Sequence, residues 1–106
     1  METESEKVVQ DRIIEYLLLK QVVLLRINSV SRGKTKSVRR CGRHGENGVP
    51  DLVGCMKDGR FICVEVKKTG GKLSKDQESF MDQMRGTGGL AIVAFSLDDV
   101  MRAVEV

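Results

Sequence analysis

Asp51, Glu65 and Lys67 are the residues whose types and spacing best suit chemistry. Two carboxylates that converge can hold a divalent cation, and an ammonium beside them can orient a water or stabilise developing charge. All three lie in the stretch GVPDLVGCMKDGRFICVEVKK, from Gly48 to Lys68. Two apolar runs, Asp51–Met56 and Phe61–Lys68, flank the turn signal Lys57-Asp58-Gly59, which reads as a β-hairpin. Side chains alternate along a strand, so Glu65 and Lys67 share one face and Val66 takes the other.

The turn decides where Asp51 points. A two-residue loop, Asp58-Gly59, would pair Lys57 with Arg60 and put the two acids on opposite faces. A three-residue loop, Lys57-Asp58-Gly59, would be a type I turn with Gly59 in the left-handed position and a G1 bulge. That register pairs Met56 with Arg60 and sets Asp51 opposite Glu65, with Lys67 diagonally adjacent. Opposed like charges are unfavourable unless something neutralises them, and a divalent cation would do so. We adopt the three-residue register, which predicts a metal site. The competing reading is a solvated strand end with a weak surface ion pair.

The elements around the hairpin follow from pattern. Residues 1–5 are polar, and Ser5 can cap a helix from about Glu6 to Lys20 built on Val9, Ile13, Tyr16 and Leu17. At ~100° per residue Glu6 falls on that apolar stripe with Gln10, Ile13 and Leu17, which makes it a candidate site residue. The helix dipole alone also favours an acid in a first turn. Val22–Asn28 reads as a buried strand. Ser31–Gly48 has no strong period and holds Arg32, Lys34, Lys36, Arg39, Arg40 and Arg43 with no acid before Glu46. Such a loop suits contact with a DNA backbone, where cations displace counterions from phosphates; the bland alternative is a solvated basic loop.

After the hairpin, Ser74 opens a helix with Gln77 at capping-box spacing and Phe80, Met81 and Met84 on its apolar stripe. Gln77 is near enough to the strand bearing Lys67 to reach the carboxylates. Leu90–Ser96 is wholly apolar, as expected in the middle of a sheet covered on both faces. Strand, helix and strand from Phe61 to Ser96 form a βαβ unit, so these two strands should be parallel. Leu97–Val104 reads as a last helix with Ser96 as its N-cap. The expected fold class is α/β: a mixed sheet flanked by helices in the order α-β-β-β-α-β-α.

Composition bounds the function. The 106 residues suit a single domain, 1–106, with one core. Apolar content of 41% with 31% charged residues is that of a globular chain, and a net charge of +3 does not by itself imply nucleic acid. Trp is absent and aromatics are few, which argues against recognition by base stacking. Cys41, Cys55 and Cys63 form no CxxC, so neither a zinc site nor a disulfide framework is expected. Without a signal peptide or a run of about 18 apolar residues, the reading is a soluble cytoplasmic protein with no membrane partner, or a phage-encoded one acting in its host. Gly33-Lys34-Thr35 mimics the tail of a phosphate-binding loop. Asn28 stands where that loop needs Gly, and no nucleotide cofactor is expected. His44, the one histidine, has no partner for a metal triad or a nucleophile–base pair.

Pro50-Asp51 followed by Glu65-Val66-Lys67 resembles the core of the PD-(D/E)xK nucleases, the restriction-endonuclease-like fold. With Glu6 and Gln10, Gly48-x-Pro50-Asp51 and Leu73-Ser74-x-x-Gln77 before Phe80, nearly the whole chain resembles the stand-alone VRR-Nuc (virus-type replication-repair nuclease) domain of phages and bacteria. The resemblance implies a Mg²⁺- or Mn²⁺-dependent phosphodiesterase acting on branched DNA, four-way junctions above all, as a homodimer. It implies Asp51, Glu65 and the Val66 main-chain carbonyl as metal ligands, with Lys67, Glu6 and Gln77 as further catalytic residues. A flap or duplex-end nuclease and a catalytically silent DNA-binding module remain the alternatives.

Overall fold

The computed structural model describes residues 5–27 and 48–105. The elements run α1 (Glu6–Leu19), β1 (Val23–Arg26), β2 (Leu52–Cys55), β3 (Phe61–Val66), α2 (Lys75–Gly86), β4 (Leu90–Ala94) and α3 (Leu97–Val104). This is the expected order, in a mixed four-stranded sheet ordered β1-β2-β3-β4. β1 and β3 each pair antiparallel with β2, and β3 pairs parallel with β4, as the βαβ unit requires. The basic residues from Arg32 to Arg43, and His44, lie outside the described residues.

Alternation along β3 sorts the core into two layers. Ile62, Val64 and Val66 pack with Val9, Ile13 and Leu17 of α1 and Val100 of α3. Cys63 on the opposite face packs with Phe80 and Met81 of α2 and with Ala91. Ser5 caps α1 by accepting from Val8 N at 3.2 Å. Ser96 is the N-cap of α3 but makes no side-chain cap bond; Asp99 Oδ2 instead accepts from Phe95 N at 2.8 Å.

Two strand expectations need correction. β1 is not buried: among the described strands it is an outer one, with Val23 72% and Leu25 62% exposed. β4 is apolar without being central. It lies at the other edge of the sheet, and its composition follows from contact with both α2 and α3.

The hairpin has the three-residue register. Met56 N donates to Arg60 O and Gly59 N to Met56 O, each at 2.8 Å, with Gly59 at φ +96°. Leu52 therefore faces Val64, and one step further Asp51 faces Glu65.

Candidate active site at the open end of the hairpin

Asp51 is anchored from both sides. Its carbonyl accepts from Ile27 N at 2.7 Å, which ties it to the end of β1. Its Oδ2 accepts from Val66 N at 3.1 Å, and its own N–H donates to Glu65 Oε1 at 3.2 Å. Pro50 explains why a side chain takes the Val66 N–H. Continued, the ladder would set Pro50 opposite Val66, but proline has no N–H to complete that pair. The Val66 carbonyl thus gets no ladder partner from Pro50. Lys67 N donates to Ala94 O at 2.9 Å, so Lys67 addresses β4, and by alternation the Val66 N–H and C=O address the Asp51 side.

Glu65 is the buried charge of the molecule, 5% exposed and the one buried polar or charged residue among those described. Its Oε2 accepts from Gln77 Nε2 at 3.1 Å and lies 3.6 Å from Lys67 Nζ. Helix α2 dictates the Gln77 orientation. Ser74 Oγ accepts from Gln77 N at 3.1 Å, and Gln77 Oε1 accepts from Ser74 N at 2.8 Å, completing a capping box. With the amide oxygen committed to Ser74, the NH₂ end faces Glu65. Gly48 brings α2 against the hairpin: at φ +88° it passes so close that a Cβ would sit 2.4 Å from Asp76 O.

Burial raises both acids. It is the largest cause for Glu65, reinforced by the Asp51 charge and opposed by Lys67, and carries its pKa to about 7. Asp51 is also raised, by burial first and by Glu6, against the lowering pull of the Val66 N–H and Lys67. Two facing carboxylates that both resist ionisation mark this end of the hairpin as a candidate functional site.

Glu6 stands at the rim. It is exposed, unlike Ile13 and Leu17 further along its stripe, and its Oε2 accepts from Lys68 N at 3.2 Å. Among the described residues no three or more His, Cys, Asp and Glu side chains converge as a ready metal cage. The two carboxylates that face each other are Asp51 and Glu65, and Glu6 lies outside that pair. Hard oxygen donors in this number suit Mg²⁺ or Mn²⁺, which keep several waters. Asp51, Glu65, Lys67 and Gln77 thus come together, and Glu6 reaches the backbone beside them. Pro50 and Gly48 enter the sequence reading only as motif members; the signals for their tasks are a proline in a ladder position and a glycine abutting a helix start.

The family model for the VRR-NUC domain matches residues 4–97. Among solved structures, the chain is similar to a VRR-NUC domain at 22% identity and a TM-score of 0.64, covering 94% of each chain. It is also similar to a VRR-NUC domain protein at 18% identity and a TM-score of 0.66, covering 98% of this chain and 88% of that one. At these identities the structural likeness speaks for the fold. No curated protein matches. A family model spanning nearly the whole chain, on a mixed sheet that converges Asp51, Glu65 and Lys67, makes this chain a member of the VRR-NUC domain family of nucleases, with a restriction-endonuclease-like fold.

Proposed function

We propose that the protein is a metal-dependent, structure-selective DNA endonuclease that hydrolyses phosphodiester bonds in branched DNA, four-way junctions foremost, as a homodimer. The observation that carries this reading is the facing pair of half-buried Asp51 and buried Glu65, with Lys67 3.6 Å from the Glu65 carboxylate. Asp51, Glu65 and the Val66 carbonyl would hold Mg²⁺ or Mn²⁺. The bound ion would polarise the scissile phosphate and make its water a better nucleophile. Gln77 keeps the Glu65 carboxylate turned toward Asp51. Lys67 orients the attacking water or stabilises charge on the phosphoryl group. Glu6, accepting from Lys68 N, steadies the strand end that carries Lys67. Arg32, Lys34, Lys36, Arg39, Arg40 and Arg43 would neutralise phosphates along the arms.

One chain carries one such site, whereas resolving a junction requires two symmetric cuts, which a C2 dimer provides. The exposed Val23 and Leu25 of the outer strand β1 offer apolar surface that a second copy would bury.

The test is cleavage of a labelled four-way junction beside a matched linear duplex, in Mg²⁺, Mn²⁺ or EDTA, by wild type and Lys67→Ala. Paired symmetric cuts on the junction alone, lost with EDTA and in Lys67→Ala, are expected. Equal cutting of the duplex would remove the junction preference. Binding without cutting in either metal would leave a silent DNA-binding module.

A further inference from the structure

Phe95 follows directly on Ala94, the last residue of β4, whose carbonyl accepts from Lys67 N at 2.9 Å. The parallel register pairs Val66 with Ala94, so its next step pairs Lys67 with Phe95. Phe95 lies in the bend just past β4, and alternation continued one step beyond Ala94 would set it on the face of Val93, Glu65 and Lys67. Adjacent strands lie about 4.8 Å apart, so the ring begins one strand away from the lysine. Its backbone is held there by the bond from Phe95 N to Asp99 Oδ2.

A single exposed apolar side chain is ordinary on a protein surface. The selection and the place of this one are not. The chain has three Phe, one Tyr and no Trp. Phe80 is buried, Phe61 and Tyr16 are half-buried, and Phe95 alone is exposed, at 42%. The one exposed ring thus belongs to the residue that follows β4 beside Lys67, at the end of a parallel pair where α/β sheets receive ligands.

We propose that Phe95 is a DNA-contacting residue that stacks on the base or sugar next to the scissile phosphate at the Asp51–Glu65 site, and so positions the scissile step. The inference rests on the nuclease reading above. Every base presents a π-face, so such a contact is tolerant of sequence, as an enzyme selecting branched DNA by shape requires. When the arms of a junction unstack, the base pairs at the exchange point present an open face, whereas in a continuous duplex every face is stacked within the helix. A ring at this position therefore favours branched over linear DNA.

The chain lacks tryptophan, so Phe95→Trp installs a single tryptophan, excited selectively over Tyr16, at the proposed contact. In an Asp51→Asn background, expected to bind without cutting, titration with a synthetic four-way junction should quench that tryptophan, and a matched duplex should quench it less. In the active background, Phe95→Leu, which keeps apolar bulk without a ring, should raise KM for the junction about tenfold, in the range of one lost stacking contact. It should keep the wild-type thermal midpoint, and Phe95→Trp should retain near wild-type KM. An unchanged KM in Phe95→Leu, or bound junction with no quenching, overturns the stacking contact while leaving the nuclease reading intact. Quenching that follows protein concentration without DNA would assign the ring to a contact between copies and overturn the proposal. Wild-type protein that neither binds nor cuts any DNA would remove the nuclease reading itself, and this inference with it.

Discussion

The hairpin formed by β2 and β3 has an aspartate at each end, and the two are held in opposite electrostatic states. At the turn, exposed Asp58 accepts from Arg60 N at 3.0 Å and from Arg60 Nε at 2.9 Å, and these bonds lower its pKa. At the open end, Asp51 is raised by burial, and Glu65 opposite it is raised to about 7. Each end also has a glycine at positive φ. Gly59 at the turn would meet no atom within 4 Å if it carried a Cβ, whereas Gly48 at the site is pressed against the first turn of α2. One end satisfies local geometry and meets water. The other withholds water from two like charges and fixes a helix over them. Function is identifiable here by a cost that the fold bears at one end and avoids at the other.

The largest expected difference between the ends comes from Glu65. Its folded pKa lies above the ordinary 4.5, so its contribution favours the folded state fully below that value and is lost as pH rises through about 7. A rise of that size corresponds to roughly 3 kcal/mol. Urea unfolding in EDTA should therefore show higher stability at pH 5 than at pH 8. Adding Mg²⁺ or Mn²⁺ at pH 8 should recover much of the loss, because only the folded chain brings the carboxylates together. Glu65→Gln should flatten the pH profile, remove the metal response and abolish cleavage. Stability in EDTA that is level or rising from pH 5 to pH 8 would mean that Glu65 ionises without penalty, and the contrast between the ends would disappear.

Much of this arrangement was legible in the sequence because local chemistry specified it. Lys57-Asp58-Gly59 dictates a three-residue loop, and the period of two then carries Asp51 opposite Glu65. Ser74 and Gln77 announce their helix start in the same local way. What escaped was set by distant neighbours. The run from Val22 to Asn28 has the composition of a buried strand, and no local pattern distinguishes an edge from a centre, so the exposure of β1 was not visible. β4 is apolar because two helices cover it, a fact of packing rather than of position in the sheet. The helical period brought Glu6 to the correct stripe, but its partner is the backbone N–H of Lys68, a long-range contact that no periodicity encodes. The basic segment from Arg32 to Arg43 lies outside the described residues.

The two glycines offer a smaller and purely structural test of the same contrast. Gly48→Ala adds a Cβ in a left-handed conformation and drives it to 2.4 Å from the Asp76 carbonyl, a backbone atom that moves only with α2. A loss of roughly 2 kcal/mol or more is expected, with reduced cleavage as Gln77 is displaced from Glu65. Gly59→Ala meets no neighbour and should cost only the left-handed penalty, about 1 kcal/mol, with cleavage retained. Equal losses in stability and activity would show that α2 is not held over the site by the Gly48 contact.

The smallest effect is expected of Asp58→Asn. The amide oxygen can still accept from Arg60 N, which preserves the turn, and only the exposed contact with Arg60 Nε is given up. Exposed ion pairs of this kind are screened by solvent and salt. The sign of its pH dependence is also opposite to that of Glu65. A lowered pKa confers stability above the ordinary 3.8 that is lost as pH falls below it, so nothing changes between pH 5 and pH 8. Asp58→Asn should therefore match wild type in urea midpoint, pH profile and cleavage, while Asp51→Asn, the same chemical change at the other end, should abolish cutting. A shifted pH profile in Asp58→Asn would show that charge at the turn is felt at the site through the length of the hairpin. The two ends would then be one coupled system rather than two independent environments built on a shared pair of strands.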